Sequence, residues 1–368
     1  MSVRTVVVGA GASGLSVALA LLQRGHQVTV LERGPAGGES SWAGGGILSP
    51  LLPWDYPESV SALALRSMAA FADWVAGIEA TSGVDAEFWR CGMLALAVAA
   101  PEQAQAWCAT HGMRLERRCP DTLNLAPDTC RQNPLWLPDV AQVRNPRLVA
   151  SLRAAVTRLG GVIREHCTAS GVLTQDGRVT AVQTTRETVP ADNVVLAAGA
   201  WSGLGMAGLA AVPNIRPIRG QMLLFKLQPG MLETILYRNG LYLIPRRDGH
   251  VLVGSTLEDV GFDKSTDAAT RERLHSDAAE LLPVLAGLQP VRHWAGLRPG
   301  SPANIPVIDR HPDFENVFVN AGHYRYGVTM APASAELLVD LMVGNTPALD
   351  PAPYRWQAAL GRTWSETL

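Results

Sequence analysis

Two hydrophobic spacings alternate along this chain. The apolar runs Val6-Val7-Val8 and Val28-Thr29-Val30-Leu31 flank a glycine-led stretch of helical character, which predicts a strand–helix–strand unit at the N-terminus. Residues 57 to 80 carry Val60, Leu63, Leu65, Met68, Phe71 and Trp74 at helical intervals, and Phe88 to Val98 turns to strand character. A short helix is expected around Gln103 to Cys108, then proline-rich sequence to about Pro146 and a helix over Arg147 to Leu159. Val162 to Glu165, Gly171 to Thr174 and Arg178 to Thr184 read as short strands.

The second half begins with Val194-Val195-Leu196-Ala197-Ala198-Gly199-Ala200-Trp201, a buried parallel strand that ends in small residues and opens a helix. From Gly220 to Gly254 the pattern becomes antiparallel β: Met222 to Phe225, Leu241 to Ile244, the turn Arg247-Asp248-Gly249, and Val251 to Val253. A helix over 269–286, strands over Trp294 to Gly300 and Val317 to Val319, and a long helix from Gly327 to Val343 complete the pattern. At 368 residues the chain exceeds the roughly 250–300 at which single cores stop growing. Two lobes follow: an α/β, Rossmann-type lobe over 1–80, 145–218 and 300–368, and an antiparallel-sheet lobe over 81–144 and 219–299.

The N-terminal unit carries Gly9-Ala10-Gly11-Ala12-Ser13-Gly14 immediately after its first strand, and Glu32 ends the second. This is a dinucleotide-binding pattern. The first glycine permits a tight turn, the second lets backbone approach a pyrophosphate, and Gly14 lets helix and strand pack closely; Glu32 can accept hydrogen bonds from a ribose. Residues 34–53, with Gly37-Gly38-Glu39-Ser40-Ser41-Trp42-Ala43-Gly44-Gly45-Gly46, are too glycine-rich for a helix or regular strand and read as a loop wrapping the nucleotide. A second dinucleotide pattern is absent, which implies one redox cofactor. A nicotinamide-linked dehydrogenase satisfies the glycine motif alone, but two distant segments, 196–201 and 321–333, look shaped to close over one extended ligand.

Composition narrows the partners. Hydrophobic residues make up 47% of the chain, the formal charge is -2 and the isoelectric point is near 6.5, so no electrostatic footprint points to nucleic acid or an anionic membrane. The chain opens directly on a strand, with no export signal ahead of it, and no apolar stretch approaches the roughly 20 residues needed to span a bilayer. Five cysteines, at 91, 108, 119, 130 and 167, lack metal-site spacing and read as buried thiols of a reducing cytoplasm.

Three further segments carry candidate chemistry. Ala321-Gly322-His323-Tyr324-Arg325-Tyr326-Gly327 leads into a helix whose N-terminal amides favour negative charge. Arg298, in the apolar segment His293 to Gly300, requires a carboxylate nearby, either from an internal Asp or Glu or from a substrate gripped by its fork. The Tyr242 phenol either adds a contact to such a substrate or reaches a backbone carbonyl in the core. No nucleophile elbow or hydrolytic triad is present.

Together these segments resemble the D-amino acid oxidase-like FAD-dependent amine oxidoreductases, most closely the glycine oxidases of thiamine biosynthesis. The similarity runs through essentially the whole chain and is most specific at Glu39–Leu48, Arg144–Val149, Ile244–Thr256, Trp294–Ser301 and Gly322–Ser334. The resemblance implies a substrate arginine at Arg298, a substrate-contacting tyrosine at Tyr242 and a charge-tuning Arg325. It implies FAD contacts at Gly9, Gly11, Ala12, Ser13, Gly14, Glu32, Arg33, Ser40, Ser41, Gly45, Gly46, Ile47, Ala198 and Gly199. Ala169 falls at the adenine, and His323, Tyr324, Arg325, Tyr326, Gly327, Val328 and Thr329 lie under the isoalloxazine. The implied reaction is oxidative deamination of glycine, related small amines or D-amino acids, with oxygen as acceptor. A dehydrogenase of the same fold, passing electrons to a quinone or partner protein, is the alternative, and a catalytically silent FAD-binding subunit is a third reading. Non-covalent FAD is implied because no cysteine lies beyond Cys167, and a homotetramer by family pattern. Gly240, Ile47, Tyr324 and Tyr326 depart from the usual residues of this family, which leaves substrate size open.

Overall fold

A computed structural model describes residues 2–119 and 133–364. Its centre is a six-stranded sheet ordered Val307–Arg310, Val317–Ala321, Asn193–Leu196, Arg4–Val8, Gln27–Leu31, Val162–Arg164. All pairings are parallel except that of the first two strands. The strands are apolar runs because helices cover them: Ala12–Gln23, Glu58–Ser82, Asn145–Arg158 and Gly327–Val343 pack into one core with Val7, Val30 and Val195. Gly344, with φ +77°, ends the last of these helices in a left-handed cap.

A second sheet of seven strands runs Arg292–Gly300, Arg216–Lys226, His250–Gly254, Leu241–Pro245, Ile235–Arg238, Met93–Leu96, Leu135–Leu137. Its pairings are antiparallel apart from Ile235–Arg238 with Met93–Leu96. One face packs on Leu274, Ala278 and Leu281 of the helix Ala268–Leu281. The other contributes Met222, Tyr242 and Ile244 to a separate core with Trp54.

Several expectations need correction. The glycine-rich stretch is not wholly irregular: Ser40–Ala43 forms one helical turn and Ile47–Leu48 a short strand paired with Ala141–Gln142. Apolar Trp42 and Ala43 find partners there, with the Trp294 indole donating to the Ala43 carbonyl at 3.1 Å. The segment after Leu196 opens a 3-10 helix, Gly199–Leu204, not an α-helix. The helix expected to reach 286 stops at Leu281, and a 3-10 turn over Pro283–Gly287 replaces its end because Pro283 has no N–H to continue the ladder. Cys91, Cys108 and Cys167 are buried free thiols. Cys119, however, is half-buried and disulfide-bonded, and Cys130 lies outside the described residues. Among the described residues no helix is long and apolar enough to cross a membrane.

The Gly9–Gly14 turn shows what the glycines are for. A Cβ on Gly14 would sit 2.0 Å from the Gly9 carbonyl oxygen, and one on Gly9, whose φ is +107°, would sit 2.3 Å from that of Ala197. Gly14→Ala therefore forces helix and strand apart, and we expect a loss of about 2 kcal/mol or more, read as a lower denaturant midpoint. Gly77→Ala is the control: its Cβ meets nothing within 4 Å inside the helix Glu58–Ser82. A gain of roughly 0.5–1 kcal/mol is expected there.

Candidate active site

The carboxyl ends of the central strands open on a cavity of about 740 Å³, within the roughly 300–1,000 Å³ of small-molecule sites. It runs from Gly9, Gly11 and Glu32 past Ala198 and Gly199 to Tyr242 and Arg298 on the second sheet. Every sequence-predicted site residue lines it except Gly14, which packs beneath the turn against Gly9.

At the nucleotide end, Gly11 caps the helix Ala12–Gln23, and the first-turn amide of Ala12 donates to Ser41 Oγ at 2.9 Å. Glu32 accepts from the Ala10 amide at 2.9 Å and the Gly34 amide at 3.0 Å; a carboxylate has about four acceptor sites, so capacity for hydroxyl donors remains. Arg33 stacks 3.3 Å above the Trp201 ring and pairs with Glu39 at 2.6 Å, closing one side.

At the other end, the segment His323–Tyr326 turns the chain into the Gly327–Val343 helix. Tyr324 takes φ +45°, a conformation a bulky residue rarely adopts, and its amide donates to the Pro299 carbonyl at 3.0 Å. Thr329 Oγ1 donates to the Ile47 carbonyl at 2.9 Å, fastening the helix start to the glycine loop. Burial drives the His323 pKa down to about 4, so the imidazole is neutral at pH 7.

Arg298 resolves one sequence ambiguity. No carboxylate among the described residues pairs with it. Its Nη2 donates to Ser255 Oγ at 2.6 Å and its Nη1 to the Thr256 carbonyl at 3.2 Å, and the guanidinium packs over Gly220, where a Cβ would be 2.1 Å from Nη1. The nearby acid Glu258 is engaged elsewhere: it accepts from Thr256 Oγ1 and from Arg219, whose Nη1 also holds Asp263 at 2.6 Å. Burial pushes the Glu258 carboxyl up, but those donors together with Gln221 outweigh it and hold it below its ordinary range. The Tyr242 hydroxyl forms no hydrogen bond among the described residues, so the core reading, a bond to a backbone carbonyl, does not hold.

Sequence reasoning passed over Ser255, Thr256, Asn145 and Asn320. Asn145 sits in the Arg-Asn-Pro segment that carried part of the resemblance without a role, and only three-dimensional placement brings it to the cavity.

The family model described as DAO, FAD dependent oxidoreductase, matches residues 4–341. The chain belongs to this family of FAD-dependent oxidoreductases. It is 45% identical to the glycine oxidase of Pseudomonas putida, over 98% of this chain and all of that one. It is 32% identical to the bifunctional protein ThiO/ThiG of Trichormus variabilis, over 92% of this chain and 52% of that protein. The crystal structure of glycine oxidase from Geobacillus kaustophilus superposes with a TM-score of 0.88 at 26% identity, covering 96% of this chain and 98% of that one. The cavity suits the family's cofactor. Asn145 Oδ1, both amide atoms of Asn320 and His323 Nε2 are buried in its walls without a protein partner, as groups awaiting a polar ligand are.

His323 gives a pH signature. Folding favours its neutral form, so as pH falls from about 6.5 towards 4 the unfolded chain takes up a proton that the folded one refuses, and stability drops. We expect His323→Gln to reduce the loss of unfolding free energy between pH 7 and pH 4.5, read from denaturant titrations, by an amount on the order of 2 kcal/mol. An unchanged slope would show that the ring is protonated in the fold.

Proposed function

We propose that the chain oxidises glycine and similarly small amino acids or amines to the oxo acid and ammonia, with Arg298 binding the substrate carboxylate. The observation that carries this reading is a guanidinium on the cavity wall held only by neutral oxygens. Its full charge remains available, and a fork can take a carboxylate through two parallel hydrogen bonds. The similarity to proteins named glycine oxidase supports the same substrate class.

Ser255 and Thr256 orient the fork before substrate arrives, so less freedom is lost on binding. Tyr242 presents its hydroxyl to the same space as a further donor to the carboxylate. When bound, FAD supplies the two-electron acceptor that takes the hydride from the α-carbon and passes the electrons to oxygen as peroxide. The amine reacts in its neutral form, which removes the need for a general base, and the released imine takes up water to yield oxo acid and ammonia. The start of the Gly327–Val343 helix, with Arg325 beside it, offers positive potential where negative charge develops. No cysteine lines the cavity among the described residues, which supports non-covalent attachment. Relatives named ThiO/ThiG support a place in thiamine biosynthesis, and with it a cytoplasmic setting.

Replacing Arg298 by Ala is expected to raise the KM for glycine by two or more orders of magnitude while the visible flavin spectrum stays that of bound cofactor. Peroxide released in step with glycine consumed identifies oxygen as acceptor. Wild-type KM in the variant would remove Arg298 from the reading, and flavin reduced by glycine without peroxide would favour a dehydrogenase.

A further inference from the structure

Arg246 is a buried cation that no acid pairs with among the described residues. It follows Pro245 at the end of the strand Leu241–Pro245 and is 5% exposed. The acids of its neighbourhood, Glu87 and Asp248, pair instead with Arg144 at 3.2 and 2.9 Å. Burial, reinforced by Arg144, draws the Arg246 pKa down to about 10, which leaves it charged at neutral pH. Such a group is costly to bury unless its donors are well used.

Nε finds no partner, but both terminal nitrogens donate to neutral acceptors on or beside one turn. Nη1 donates to Gln142 Oε1 and, at 2.9 Å, to the Val143 carbonyl; Nη2 donates to the Gly45 carbonyl at 2.8 Å. Val143 in turn donates its amide to the Gly46 carbonyl at 2.9 Å, so guanidinium, Val143 and the Gly45–Gly46 backbone form a closed ring of hydrogen bonds. The turn Gly44-Gly45-Gly46 lines the cavity, and Gly46 takes φ +77°. Three consecutive glycines have little conformational preference of their own, so the shape of this wall must come from what grips it.

We propose that Arg246 is a positioning residue for the cofactor: its planar fork fixes the Gly44–Gly46 turn in the conformation that FAD binds, through the direction of its N–H groups and not through its charge alone. The inference rests on the family's cofactor and is independent of the substrate. It places a determinant of FAD affinity just past the end of a strand of the second sheet, outside the nucleotide-binding motif.

The test titrates apoprotein with FAD by flavin fluorescence and compares Tm with and without saturating FAD. Arg246→Lys keeps the charge but offers a compact ammonium in place of the fork. Its FAD Kd should rise about tenfold or more, and the Tm gain conferred by FAD should shrink. A variant that is merely destabilised lowers the apoprotein Tm yet keeps that gain. Gln142→Met removes one anchor of the guanidinium without altering charge, and should weaken FAD a few-fold in the same direction. Wild-type FAD affinity in Arg246→Lys overturns the proposal, because charge would then suffice. Should that variant fail to fold, wild-type affinity in Gln142→Met overturns it.

Discussion

A positive charge that no acid among the described residues neutralises is the constraint on which the site depends. Arg298 stands at the cavity wall with Ser255 and Thr256 as its acceptors, while Arg219, Gln221 and Thr256 engage the Glu258 carboxylate. Were an acid free to reach Arg298, the pair would satisfy itself and the fork would have nothing to offer a ligand. The network around Glu258 thus has a purpose beyond its own stability. Antiparallel register contributes as well, since Ile218 pairs with Arg298 and Gly220, two residues on, leaves room for the guanidinium to lie flat against the strand.

The same economy of acids appears around Arg246, where Arg144 engages Glu87 and Asp248. In both places one arginine absorbs the local carboxylates and a second remains unpaired. One unpaired guanidinium faces the cavity, the other grips the glycine turn that forms part of its wall. The cavity is therefore shaped from both sheets: backbone amides, Glu32, Arg325 and the helix starts come from the side of the parallel sheet, and Arg298 and Tyr242 come from the antiparallel one.

Much of this was legible in the residues. The Gly9–Gly14 motif, the apolar strands and the long helices announced themselves because a tight turn beneath a buried sheet admits few alternatives. Residues 327–343 were readable to their ends because Gly344 stops the helix. Local pattern could not reveal pairings made at long range. Ser40–Ala43 and Ile47–Leu48 are held by Trp294 and Ala141, and the strand Val307–Arg310 has only an edge of the sheet to define it. Whether Arg298 met an internal acid or a ligand was undecidable in sequence, since the answer lies in where Glu258 and Arg219 meet across the bridge between Arg219 and Glu258. Asn145 was invisible for a similar reason: an asparagine before proline is ordinary in a helix start, and its unpaired amide oxygen shows only in three dimensions.

The order of strands in the central sheet has a temporal consequence. Arg4–Val8 lies between Gln27–Leu31 and Asn193–Leu196, and the latter pairs outward with Val317–Ala321. During synthesis the first strand emerges with one neighbour close behind it, while its other edge must wait until more than half the chain has left the ribosome. Contacts of such long sequence separation form late. The nucleotide-binding turn, although encoded in the first residues made, is among the last parts of the molecule to acquire its finished walls.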